Sequence, residues 1–178
     1  GSPYEGGHRV PCFWHWPAGG WTGGRDVGGI TSQHDFVPTL VDACGLKSTR
    51  PVQYDGRNLR DVLDGRASVP ADRLLIVHHQ ELADPLKYRF ACVLQDRRRL
   101  ILRNDRDEHG PPTVELFDLA TDPGQTRNLA AEQPATTAAL RAAYESFWDD
   151  VSRRFDEPAE IVVGDERARR RDALRHRA

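Results

Sequence analysis

Tyr88-Arg89-Phe90-Ala91-Cys92-Val93, Arg99-Leu100-Ile101-Leu102-Arg103 and Val114-Glu115-Leu116-Phe117-Asp118 are the stretches whose reading decides the fold. Each is short, rich in aromatic and branched side chains, and bounded by turn formers, which is the pattern of a β-strand. Gln95-Asp96-Arg97 supplies a turn between the first two, and the loop 104–113 leads to the third. Together they predict a small antiparallel sheet. Thr121-Asp122-Pro123-Gly124 then reads as a tight turn, with Pro123 presetting the first corner and Gly124 tolerating the second. Beyond it, Leu140, Ala143, Tyr144, Phe147, Trp148 and Val151 recur at helical spacing. They predict one long helix packed on the sheet, with Phe147 and Trp148 as core anchors.

Working back toward the N-terminus, Leu74-Leu75-Ile76-Val77 is an apolar run too short for a helix and reads as a buried strand. A short helix is expected around Asn58 to Leu63. Phe36, Val37, Leu40, Val41 and Cys44 give a three-turn helix, capped by Thr31 or Ser32 and stopped by Gly45. Pro38 falls in its first turn, where a missing N–H costs least. Arg9 to Pro17 alternates large apolar residues between prolines and predicts a short strand. The glycines from Gly19 to Gly29 fit no phosphate-binding spacing and read as a surface loop. After the long helix, Glu160 to Gly164 is a possible last strand, followed by an Arg-rich tail.

The 178 residues are enough for a domain with a core, and 25 Lys+Arg against 27 Asp+Glu leave a formal charge of −2. That balance argues against nucleic acid as a partner and against capture by an anionic membrane surface. No stretch approaches the ~18 apolar residues of a membrane span. Cys12, Cys44 and Cys92 are isolated and odd in number, so they read as buried packing residues rather than disulfides or zinc ligands. The chain starts at Gly1 and contains no Met. It therefore reads as a processed or incomplete product whose targeting signals are lost, leaving bacterial cytoplasm or export equally open. The use of Arg over Lys suggests a GC-rich bacterial source.

Three motifs together resemble the C-terminal part of the sulfatase family, within the alkaline-phosphatase-like superfamily. They are Tyr4-Glu5-Gly6-Gly7-His8-Arg9-Val10-Pro11 leading to Trp16-Pro17, His34-Asp35-Phe36-Val37-Pro38-Thr39-Leu40 with Cys44-Gly45, and Glu115 through the Asp122-Pro123-Gly124 turn to Leu129. The resemblance implies an α/β fold overall and α+β for this chain. Residues 1–70 would end the catalytic domain's large mixed sheet, residues 71–164 would form an antiparallel-sheet subdomain with its long helix, and 165–178 a tail. It also implies hydrolysis of sulfate esters on a sulfated small molecule or glycan, with calcium and a formylglycine made from Cys or Ser. The logic is electrostatic: a cation and Lys stabilise the departing oxygen while the hydrated aldehyde attacks.

None of the three cysteines stands in the family's nucleophile motif, and its carboxylate ligands lie upstream of the Glu-Gly-Gly stretch. No catalytic residue and no metal ligand is therefore expected here, and the first partner implied is a missing N-terminal part of the same chain. Glu5, Gly6, Gly7 and Arg9 match the family motif, with Pro11 closing the stretch; their expected job is structural, the glycines allowing a tight turn and Arg9 pairing with a carboxylate, while Arg9 also counts among the substrate-adjacent candidates. His8, beside Arg9, stands at a variable motif position and can face substrate. His78 and His79 end the Leu74–Val77 run, where strand ends deliver site residues; the alternative is a pair of hydrogen-bonded surface histidines. Asp35 reads as a helix-start carboxylate. Two other functions stay open: a phosphonate or phosphodiester hydrolase of the same superfamily, and a non-catalytic interaction module.

Overall fold

The computed structural model describes residues 2–80, 85–104 and 110–155. It falls into two compact units, Gly1–Ser146 and Phe147–Ala178. The expected strand over Glu160 to Gly164 and the Arg-rich tail lie outside the described residues.

The helices are α1 (Glu5–His8), α2 (Phe36–Ala43), α3 (Arg60–Leu63) and α4 (Pro134–Ser152), with 3-10 turns at Pro17–Gly19 and Gln33–Asp35. Between α3 and α4, strands β1 (Leu74–His78), β2 (Ala91–Gln95), β3 (Arg98–Arg103) and β4 (Thr113–Asp118) form one antiparallel sheet in the order β1-β2-β3-β4. The architecture is α+β, as expected, with four strands rather than three. Leu74–His78 joins the sheet as an edge strand, not a buried one, and Leu74 is 43% exposed. An apolar run does not state how many neighbours its backbone will have.

Asp96 and Arg97 make a two-residue hairpin between Gln95 and Arg98, with Asp96 at φ 48°. Tyr88 and Phe90, expected within β2, stand before it because both have left-handed backbones, at φ 66° and 45°. The register sets Leu75, Val77, Cys92, Leu94, Arg99, Ile101, Glu115 and Phe117 on one face. On it Cys92, Leu94, Ile101 and Phe117 form a buried cluster with Tyr4, Ile30 and Leu119 packed against them. Val93, Leu100, Leu102 and Leu116 on the other face are fully buried.

Helix α4 opens on Pro134, where its fixed φ suits the first turn. Its buried side chains are Leu140 and Tyr144. Phe147 and Trp148, expected as anchors, are only half-buried, and in the second unit the Trp148 ring stands edge-on to Phe155 at 5.5 Å. Regular spacing identified the helix but not where along it burial is concentrated.

Two N-terminal expectations are also corrected. Residues 10–15 form no strand, because no described neighbour offers them a ladder; the nearest pairing is the isolated Trp16–Trp21 bridge. Cys12 and Cys44 are exposed, and only Cys92 is buried. The 3-10 turn Gln33–Asp35 that leads into helix α2 opens on a capping box in which Ser32 and Asp35 satisfy each other's backbone N–H groups. The buried residues of α2 are Pro38 and Thr39, while Phe36, Val37 and Leu40 are exposed. The polar edge is buried because Thr39 Oγ1 donates to the Asp35 carbonyl at 2.6 Å and accepts from Leu59 N at 2.9 Å.

Candidate functional site

The Glu-Gly-Gly-His-Arg motif closes one helical turn, with Arg9 N donating to the Glu5 carbonyl at 3.0 Å. Neither glycine has a left-handed backbone. Gly7 is needed for a different reason: a Cβ there would stand 2.2 Å from the Ser2 carbonyl oxygen. The sheet and the turn that follows β4 hold this helical turn at several points. Tyr4 donates through its hydroxyl to Glu115 Oε2 at 2.6 Å, and Gln125 Oε1 accepts from Glu5 N at 2.7 Å. The Glu5 carboxylate accepts from Arg9 Nη1 at 3.0 Å and, through its other oxygen, from Arg99 Nη2. Arg99 Nη1 also reaches the Pro3 carbonyl at 3.4 Å.

His8 lies against Cys92, with Nε2 3.5 Å from Sγ, while Nδ1 is 3.3 Å from the Ser2 carbonyl. Burial, reinforced by the nearby Arg99 charge, holds His8 below the ordinary histidine value; the Ser2 carbonyl and Glu5 oppose this without reversing it. Burial pushes the Cys92 thiol up to about 12, although Arg99 pulls the other way. A thiol so protonated at neutral pH is a packing group, not a nucleophile.

The structure brings Glu5, His8 and Arg9 together and keeps His78 apart from them. His78 ends β1 on the opposite face, its ring 5.6 Å from that of Tyr144 and its Nε2 2.5 Å from Gln80 Nε2. Burial lowers it to about 4, His79 adds to the effect, and backbone contacts with Leu86 and Arg89 oppose it. It is neutral at pH 7. His79 meets the Phe90 carbonyl through its backbone N–H at 3.4 Å.

Asp35 stands at the start of helix α2, 0% exposed. It accepts from Ser32 N at 2.8 Å, Arg57 N at 2.8 Å and Arg73 Nη2 at 2.6 Å. Its burial would raise the carboxyl, but these three donors and the Arg73 charge outweigh that and hold it below the ordinary value. Pro38 is buried in the same helix and Pro11 is exposed. In the Asp122-Pro123-Gly124-Gln125 turn the left-handed residue is Gln125, at φ 54°, rather than Gly124. That conformation accompanies the placement of the Gln125 amide on Glu5, while the Asp122 carboxylate accepts from Thr126 N at 2.8 Å and Arg127 N at 2.9 Å.

Arg99 is the contributor that sequence reasoning missed; Tyr4 and Gln125 stood inside the quoted motifs without a stated role, and Cys92 is the buried packing residue it was read as. One signal was present: in the alternation of β3, Arg99 falls in phase with Ile101, and a cation on an apolar face needs a carboxylate from elsewhere. Among the described residues no three His, Cys, Asp or Glu side chains group as a metal site. These residues do not fit calcium, and with Cys92 buried they do not fit a formylglycine position either. A cavity of about 260 Å³ lies elsewhere, lined by Trp14, His15, Trp16, Trp21, Leu40 and Cys44.

The geometry defines an α+β unit whose antiparallel sheet grips a Glu-Gly-Gly turn through a buried arginine. No family model matches the chain. It is 30% identical over 145 residues to a sulfatase of Formosa agariphila, the match taking in 76% of this chain and 25% of that protein. It is 38% identical over 157 residues to human arylsulfatase D, covering 72% of this chain and 25% of that one. A protein solved with its substrate D-glucosamine-2-N,6-O-disulfate superposes at a TM-score of 0.49 and 25% identity, over 70% of this chain and 25% of that chain. The chain belongs to the sulfatase family. It spans about a quarter of the length of the curated relatives it matches.

Proposed function

We propose that this chain is the C-terminal portion of an enzyme that hydrolyses sulfate esters of a small molecule or glycan, and that alone it does not turn over. The observation that carries the reading is the kinship with a sulfatase along 76% of the chain. The side chains fit a supporting part. Sulfate transfer needs a strong nucleophile and concentrated positive charge around the sulfuryl oxygens. Cys92 is held protonated, and the Arg99 charge is already committed to Glu5. Arg9, whose side chain is exposed although one of its nitrogens pairs with Glu5, and His8 beside it would border an anionic ester, at the end of a turn that the sheet holds in place. Calcium and the formylglycine nucleophile would come from the part of a sulfatase that this chain does not match.

An aryl sulfate such as 4-nitrophenyl sulfate, offered to this chain and to the chain joined to its own proposed N-terminal portion, tests the proposal. Turnover is expected only from the joined protein, and calorimetric titration of the chain alone with calcium should give no micromolar binding. Hydrolysis or tight calcium binding by the chain alone would overturn it. If the joined protein cleaved phosphodiesters and left sulfate esters intact, the phosphoryl-transfer relative would take its place.

A further inference from the structure

The Arg99 guanidinium is 1% exposed, and its cross-strand neighbours in the register are Leu94 on β2 and Phe117 on β4. Neither can balance a charge. A cation removed from water in an apolar face is strongly unfavourable unless a carboxylate and hydrogen-bond acceptors meet it. Both come from outside the sheet, as Glu5 and the Pro3 carbonyl. The two terminal nitrogens of Arg99 are therefore met only when the turn is seated on this face. The turn is equally dependent, because its first backbone N–H is met by Gln125 and its histidine is covered by Cys92.

We propose that Arg99 is a positioning residue: through Glu5 and Pro3 it fixes the turn that carries His8 and Arg9, coupling the small sheet to the sulfate-ester site. The functional half of this statement rests on the sulfatase reading. The positioning half does not, and it can be measured on the chain as it stands. Four groups set the His8 proton affinity: Arg99, Glu5, the Ser2 carbonyl and the surrounding apolar face with Cys92.

The test follows the His8 ring by NMR titration and counts thiols that react with a maleimide under native conditions. Wild type should show two reactive thiols, the exposed Cys12 and Cys44, with Cys92 protected. Arg99→Met should release the turn, giving three reactive thiols and a His8 that titrates nearer the ordinary value, and Arg99→Lys should restore the wild-type pattern. Glu5→Ala separates positioning from a field effect and leaves the sheet's own residues intact. Loss of the Glu5 charge alone would lower His8 further, whereas release of the turn raises it and exposes Cys92. Two reactive thiols and a lowered or unchanged His8 in Glu5→Ala would overturn the proposal. Absence of sulfatase turnover in the joined protein would leave these readings unaltered, so the two failures are distinguishable.

Discussion

Replacing Asp35 by Asn is expected to be among the most damaging single changes in the first unit. The substitution keeps the shape of the side chain and removes its charge. Arg73, 5% exposed at its side chain, is then left as a buried cation, and the amide cannot accept as well from Ser32 N and Arg57 N together. Removing one partner of a buried ion pair costs about 3–5 kcal/mol. Spread over a chain of this size, that corresponds to a fall in Tm on the order of 10 °C. Urea denaturation followed by tryptophan fluorescence measures it. The pH dependence supplies a second check. Because Asp35 is depressed in the folded state, its contribution is complete above the unfolded carboxylate value and is lost as pH falls through the folded one. Asp35→Asn should therefore flatten the acid limb of the stability curve. The double variant Asp35→Asn with Arg73→Met should lose clearly less than the two single losses combined, since no charge is left stranded. A single variant within about 1 kcal/mol of wild type at pH 7, or an additive double variant, would refute the reasoning.

Three further outcomes are expected. Gly56→Ala should destabilise the same region by about 1–3 kcal/mol or more in melts, because a Cβ there would stand 1.9 Å from the His34 carbonyl oxygen. Leu140→Ala should cost about 2–5 kcal/mol and Trp148→Ala markedly less; equal losses would mean that the burial along helix α4 is wrongly assigned. Lowering the pH from 6.5 to about 4 should weaken the fold, since the unfolded chain protonates His78 before the folded one does. His78→Gln should remove that part of the slope in denaturation series run across the interval.

Aromatic and branched side chains between turn formers identified β3 and β4 to within a residue, and Gln95-Asp96-Arg97 marked the hairpin, because both depend on local chemistry. The start of β2 was not legible: nothing in the identity of Tyr88 or Phe90 announces a left-handed backbone. The strand expected at Arg9 to Pro17 failed for a different reason, since alternation states a preference for pairing and cannot supply the partner. The candidate site was half visible. Glu5, His8 and Arg9 stood out as a motif, and Asp35 as a helix-start carboxylate. What holds the motif in place comes from 94 and 120 residues away, through Arg99 and Gln125, and such distant pairings are set by packing rather than by sequence neighbours.

Helix α2 has consequences for how the chain behaves in solution. It buries polar Asp35 and Thr39 at one side while Phe36, Val37 and Leu40 face solvent, and Trp14 extends that apolar surface by standing edge-on to Phe36 at 5.1 Å. Close to it in sequence, Phe13 is 92% exposed. Exposed apolar side chains of this kind promote adhesion between molecules, and their attraction grows on mild warming because apolar hydration has a large heat capacity. Purified chain should scatter more light at room temperature than in the cold, and charged substitutions at Phe36 or Val37 should clear the solution without lowering its melting temperature.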